Sequence, residues 1–190
     1  MQEEIKSLLL CYQKGAIEQV FSDYYCSTRD VFRARHDRWF NHLLKVMPIE
    51  KAAKLLTIVG EVGNNSFDHN LGHWQNAPGL CFYPQKDFVI LFDCGRGIQA
   101  SLKDAGFKFE TDDDFFNAAL TKRITGRAPE RRGNGLKVSL AAVSELNIGF
   151  FIQSGDSYFA NDKIPAEITD ELKKYSNQGV IAYIYFGNLL

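Results

Sequence analysis

At 190 residues, with 45% hydrophobic and 24% charged side chains, the chain has the size of one globular domain with room for a small appendage, and enough apolar surface for a substantial core. A formal net charge of −1 gives no electrostatic reason for non-specific attraction to nucleic acid or to an anionic membrane surface. No apolar run reaches the ~18 residues of a membrane span, the start Met1-Gln2-Glu3-Glu4 lacks the features of a signal peptide, and Cys11, Cys26, Cys81 and Cys94 form no C-x-x-C pair, so reduced thiols in a cytoplasmic protein are expected.

Residues 2–20 read as a helix with Ile5, Leu8, Leu9, Tyr12, Ile17 and Val20 as its apolar positions, weakened at Gly15. A second helix is expected from the capping pair Ser27-Thr28 to about Met47, where Pro48 ends it. Phe32, Trp39, Phe40, Leu43, Leu44 and Met47 make its apolar stripe, and Arg29, Arg33 and Arg38 its other face. His36 falls on the stripe and reads as a packed histidine, in preference to a phosphoacceptor. A third helix is predicted over 49–70, stopped by Gly72, with Ala52, Leu55, Leu56 and Val59 recurring at three- and four-residue steps. Residues 79–83 and 88–93 read as two strands of an antiparallel hairpin, joined by the turn chemistry of Pro84-Gln85-Lys86-Asp87. The second strand runs into Asp93-Cys94-Gly95-Arg96-Gly97-Ile98, where two glycines permit close backbone approach. Cys94 reads as packed, not reactive.

Residues 99–132 look like a long excursion holding a short, acidic-capped helix over 111–122 and then a basic stretch with Arg123, Arg127, Arg131 and Arg132. Gly133-Asn134-Gly135 ends it, and a helix with Leu136, Leu140, Val143 and Leu146 inward follows. A Gly-x-Gly at a helix start is a weak signal for a phosphate cradle, since backbone N–H groups and the helix dipole both favour an anion. A strand over 147–153, a turn at Ser154-Gly155-Asp156, a return at Tyr158-Phe159, a polar insertion over 162–177 with a helix near 167–174, and a last strand over 179–186 complete the chain.

The third helix carries the polar pattern around which the rest is arranged. Glu61 and Asn65 are four apart, and Asp68 and His69 follow at three and four more, so all four stack on one helical face. That row fits a solvated face as well as the wall of a site. In chain order, however, Glu61-x-x-x-Asn65 on a helix, Asp93-x-Gly95-x-Gly97 after a strand and Gly133-x-Gly135 before a helix resemble the N box and the two glycine boxes of the GHKL ATPase superfamily, which includes gyrase and the histidine kinases. The resemblance covers roughly residues 49–186. It implies an α+β fold, a two-layer α/β sandwich of the Bergerat type, with a mixed, mainly antiparallel sheet covered by helices on one face. The ATPase domain would span 49–190, behind a helical extension over 1–48, and 99–132 would be its ATP lid.

The resemblance also implies roles, with ATP and Mg²⁺ as cofactors. Asn65 would offer Mg²⁺ a neutral amide oxygen, and Glu61, one turn earlier, would be the general base. Asp93 would accept a hydrogen bond from the adenine amino group, with Gly95, Gly97 and Ile98 beside the base. Arg132, Gly133, Asn134, Gly135 and Leu136 would border the phosphates, and lid arginines would neutralise charge on closure. Asp68 and His69 would either border the phosphates too or serve the fold by capping or hydrogen bonding. One departure is Gly179-Val180, where the family commonly has Gly-Thr with a hydroxyl near adenine. The chain is most similar to stand-alone serine-kinase modules of the anti-sigma type. The expectation is a MgATP-binding regulator that hydrolyses ATP or phosphorylates a protein partner. The alternatives are a non-catalytic module in which ATP orders the lid and gates a partner surface, and a degenerate fold that has lost nucleotide. The aromatic-rich N-terminal helices are the candidate dimer or partner interface; neither nucleic acid nor membrane is expected as a partner.

Overall fold

The computed structural model describes residues 3–20, 22–69, 79–122, 124 and 135–190. Its centre is a six-stranded sheet in the order β1-β2-β3-β6-β4-β5, from β1 (Tyr25–Cys26), β2 (Leu80–Pro84), β3 (Phe88–Phe92), β4 (Gly149–Ser154), β5 (Ser157–Ala160) and β6 (Val180–Tyr185). Every strand pairing among the described residues is antiparallel. β2 and β3 form the expected hairpin, closed by the Gln85 amide donating to the Phe88 carbonyl at 2.8 Å. The last strand, β6, inserts between β3 and β4 in the middle of the sheet, where its apolar run is covered on both sides. No helix among the described residues is long and apolar enough to cross a membrane.

Successive strand residues point to opposite faces, and both faces are apolar. Leu80, Phe82, Val89, Leu91, Phe150, Ile152, Ala182 and Ile184 share one core with α2 (Arg29–Leu43), α3 (Ile49–His69), the end of α6 (Gly135–Leu146), and Phe116 and Leu120 of α5 (Asp112–Thr121). This is the expected layer of helices on a sheet. The other face, Cys81, Tyr83, Ile90, Phe92, Phe151 and Ile181, is also covered, by Leu8, Leu9 and Tyr12 of α1 (Glu3–Gln13), Ile17 and Val20 behind it, and Leu172 of α7 (Ala166–Leu172). Helices therefore lie on both faces, not on the one face expected, because the N-terminal helix α1 and the insertion helix α7 fold onto the second; this explains why these strands read as unbroken apolar runs and not as apolar–polar alternation.

Residues 1–48 supply three parts of this architecture: α1 on the second face, the edge strand β1, and α2 packed on α3. The first helix stops at Gln13; Gly15 has φ +67°, and a short 3-10 turn, Ile17–Gln19, carries the remaining apolar residues inward. α2 starts as expected, with Thr28 Oγ1 accepting from the Val31 amide. It crosses α3 closely enough that a Cβ at Gly63 would lie 2.3 Å from Cζ of Phe32, so a glycine is required there for the ring to seat.

The excursion after β3 holds more structure than its sequence suggests. α4 (Gly97–Asp104) follows β3 after four residues, and α5 packs on α4, α6 and β5. α5 opens with a reciprocal cap in which Thr111 Oγ1 accepts from the Asp114 amide while the Asp114 carboxylate accepts from the Thr111 amide. Ser157 Oγ of β5 donates to Asp113 Oδ1 at 2.5 Å, which ties this helix to the sheet edge.

Candidate functional site

The polar pattern of α3 is brought against the other two motif regions by two contacts. The first is with β3. Asp93, immediately after the strand, is only 3% exposed. Ser66 Oγ of α3 donates to its Oδ2 at 2.7 Å, and the Gly95 amide donates to its Oδ1 at 2.8 Å, so helix and loop together fix the carboxylate plane. Its own amide donates to the Val180 carbonyl at 2.9 Å, which anchors it to β6 as well. Ser66 was not among the expected site residues. The signal for it is its place in the sheet-facing row Leu55, Val59, Val62, Ser66: it is the one polar member of an otherwise apolar series, and a hydroxyl there needs a partner.

The second contact is with α6. A Cβ on Gly135, the first residue of that helix, would lie 2.4 Å from Glu61 Oε2. The Glu61 carboxylate thus rests on the first turn of α6, where the partial positive charge of the helix start favours an anion. At the far end of the same helix pair, Lys54 Nζ donates to Glu145 Oε2 at 2.6 Å across the exposed edge. Asn65, one turn beyond Glu61, is half-buried, and Leu136 is half-buried against the core.

Gly97 opens α4 with φ +77°, and a Cβ there would meet the Gln178 carbonyl oxygen at 2.0 Å. The helix start is capped from a distant strand: Ser154 Oγ accepts from the Ile98 amide at 3.0 Å and donates to the Gln178 carbonyl at 3.3 Å. The Asp93-x-Gly95-x-Gly97 loop therefore has a firm structural use, docking β3 and α4 onto the end of β6. Cys94 in this loop is packed as expected. Burial, and then the adjacent Asp93 carboxylate, push its thiol up to about 12, far from the thiolate range.

Asp68 is engaged with a residue from another element. The Arg29 guanidinium, at the start of α2, donates to Asp68 Oδ1, and the carboxylate side chain is 11% exposed beneath it. His36 is packed as expected: its Nε2–H donates to the Leu56 carbonyl at 3.0 Å, its ring stacks on Phe32 with centroids 5.3 Å apart, and burial lowers its pKa. His69 is the last residue of α3, and its side chain lies outside the described positions. Arg132, Gly133 and Asn134, with the basic stretch before them, also lie outside the described residues.

Among the described residues no group of three His, Cys, Asp or Glu side chains could hold a metal ion. No family model, curated protein or solved structure matches the chain.

Proposed function

We propose that this protein is a MgATP-binding regulator of the histidine-kinase-like ATPase type, built on a Bergerat-type core, which hydrolyses ATP or phosphorylates a partner protein. The observation that carries this reading is convergence. Three motifs separated by dozens of residues meet on α3: Ser66 grips Asp93, and Glu61 touches Gly135. A solvated helix face has no need of either contact.

Each residue has a defined task. Asp93, held in one orientation by two donors, accepts from the exocyclic amino group of adenine; holding the acceptor in place beforehand lowers the ordering cost of binding. The first turn of α6, beginning at Gly135, offers backbone N–H groups to phosphate oxygens. Asn65 would hold Mg²⁺, which would supply charge neutralisation at the phosphates. Glu61 orients the attacking hydroxyl or water and takes its proton. Its carboxylate lies against the start of α6, the helix end proposed to meet the phosphates.

Titration with a fluorescent ATP analogue, with and without Mg²⁺, tests the reading. Saturable, Mg²⁺-enhanced binding is expected, and no binding at millimolar nucleotide overturns it. Glu61→Gln separates catalysis from gating: it should retain ATP binding while turnover falls by about a hundredfold or more. Unchanged turnover would remove Glu61 as the base, and undiminished partner regulation with unhydrolysed ATP bound would leave only the gating reading.

A further inference from the structure

Asp68 lies on the same face of α3 as Asn65 and Glu61, about 4.5 Å beyond the first and about 10 Å beyond the second along the helix axis. A carboxylate at that position opposes a polyphosphate, because like charges this close repel even through a partly aqueous medium. The structure does not leave it bare: Asp68 is covered by Arg29, whose Nη2 donates to Oδ1. Arg29 is itself oddly placed for helix stability. It is the first residue of α2, where the helix dipole favours acidic side chains. A guanidinium carries five N–H donors. Among the described residues only the bond to Asp68 uses one, on a side chain 38% exposed.

We propose that Arg29, braced by Asp68, is a phosphate-selecting residue of the nucleotide site, favouring ATP over ligands with fewer phosphates. This rests on the nucleotide-binding reading above. In it, Asp68 is an anchor and not a ligand contact. It holds a flexible side chain in one position, so that less rotamer freedom is lost when a phosphate arrives. The N-terminal segment then supplies a cation that α3 itself lacks at this point, and the start of α2 becomes part of the site.

Equilibrium binding of MgATP, MgADP and adenosine to the full chain tests this, for the wild type, Arg29→Gln and Arg29→Lys, each at low and high salt. The wild type should prefer ATP to adenosine, with a preference that shrinks as salt rises. Arg29→Gln should lose about tenfold in ATP affinity, less for ADP, and under about twofold for adenosine. Arg29→Lys should keep most of the preference. Equal losses for ATP and adenosine would make Arg29 a structural residue and overturn the proposal, as would an unchanged ATP affinity in Arg29→Gln. If Arg29→Gln does not fold by circular dichroism, Arg29→Met decides, since it keeps an apolar stem and removes the charge: a folded methionine variant that keeps the wild-type ATP preference overturns the proposal. A folded wild type that binds neither ATP nor adenosine overturns the nucleotide reading and this inference with it; binding by the wild type with Arg29→Gln unaffected overturns this inference alone.

Discussion

Within α3, residues 60–68 serve two neighbours of opposite character. Toward α2 the helix presents Gly60 and Gly63, and the rings of His36 and Phe32 fill the space those glycines leave. Toward β3 and α6 it presents Ser66 and Glu61, which meet a buried carboxylate and a helix start. The first flank is shape complementarity between apolar and aromatic surfaces. The second is hydrogen bonding and charge held in a fixed geometry. One short stretch can therefore hold both a packing seam and a candidate binding wall, because positions one residue apart on a helix point about 100° apart. Gly60, just before the motif, and Gly63, inside it, belong to the seam, and the polar residues Glu61 and Ser66 belong to the wall.

The largest separation between the flanks should come from Asp93→Ala. It removes the acceptor of both the Ser66 Oγ–H bond and the Gly95 amide bond, and losing two bonds to a buried carboxylate costs about 2–4 kcal/mol. Denaturant titration should show that loss, and ATP-analogue binding should vanish. A variant that keeps nucleotide affinity would remove Asp93 from the wall. Asp93→Asn sharpens the point: the Ser66 hydroxyl can turn to accept from the new amide, so stability should be nearly kept while ATP affinity falls.

Gly63→Ala attacks the seam. A methyl group 2.3 Å from Cζ of Phe32 forces the ring or α2 to move, and overpacking of this kind costs about 1–3 kcal/mol, partly offset by alanine's better helix propensity. Thermal unfolding should show a modest loss, with the ligand preference order unchanged. Phe32→Leu in the Gly63→Ala background should recover part of the stability, and a double-mutant cycle measures that coupling. A selective loss of ATP binding in Gly63→Ala would instead place this glycine at the site.

These two flanks were unequally legible in the sequence. The row Glu61, Asn65, Asp68 follows from helical period alone, and the β2–β3 hairpin and the α5 cap follow from local turn and capping chemistry. Runs such as Leu80-Cys81-Phe82-Tyr83, with apolar residues in both phases, carry the trace of covering on both faces, but the resemblance implied helices on one face only, and the layer from α1 and α7 was not expected. The start of α4 was hidden because its cap, Ser154, comes from a strand far along the chain, and β1 was hidden because two residues carry no period. Ser66 and Arg29 share that difficulty. Each acquires meaning only from its partner, Asp93 for one and Asp68 for the other, and those pairings are set by tertiary packing.

The smallest expected effect is a pH dependence confined to the seam. His36 is held between Phe32 and Trp39, and burial lowers its pKa against smaller opposing contributions from the Leu56 carbonyl and Asp37. With a folded value below the unfolded one, the unfolded chain binds more protons once pH falls below about 6.5, so stability must decline in that direction. The contribution of neutral His36 is fully present above the unfolded value and is lost as pH drops through the folded one. Denaturant midpoints measured from pH 7.5 down to 5 should fall for the wild type, and more gently for His36→Gln, which cannot titrate. Because the seam holds the α2 side of α3, a wild-type slope that His36→Gln leaves intact would move the acid sensitivity away from the seam.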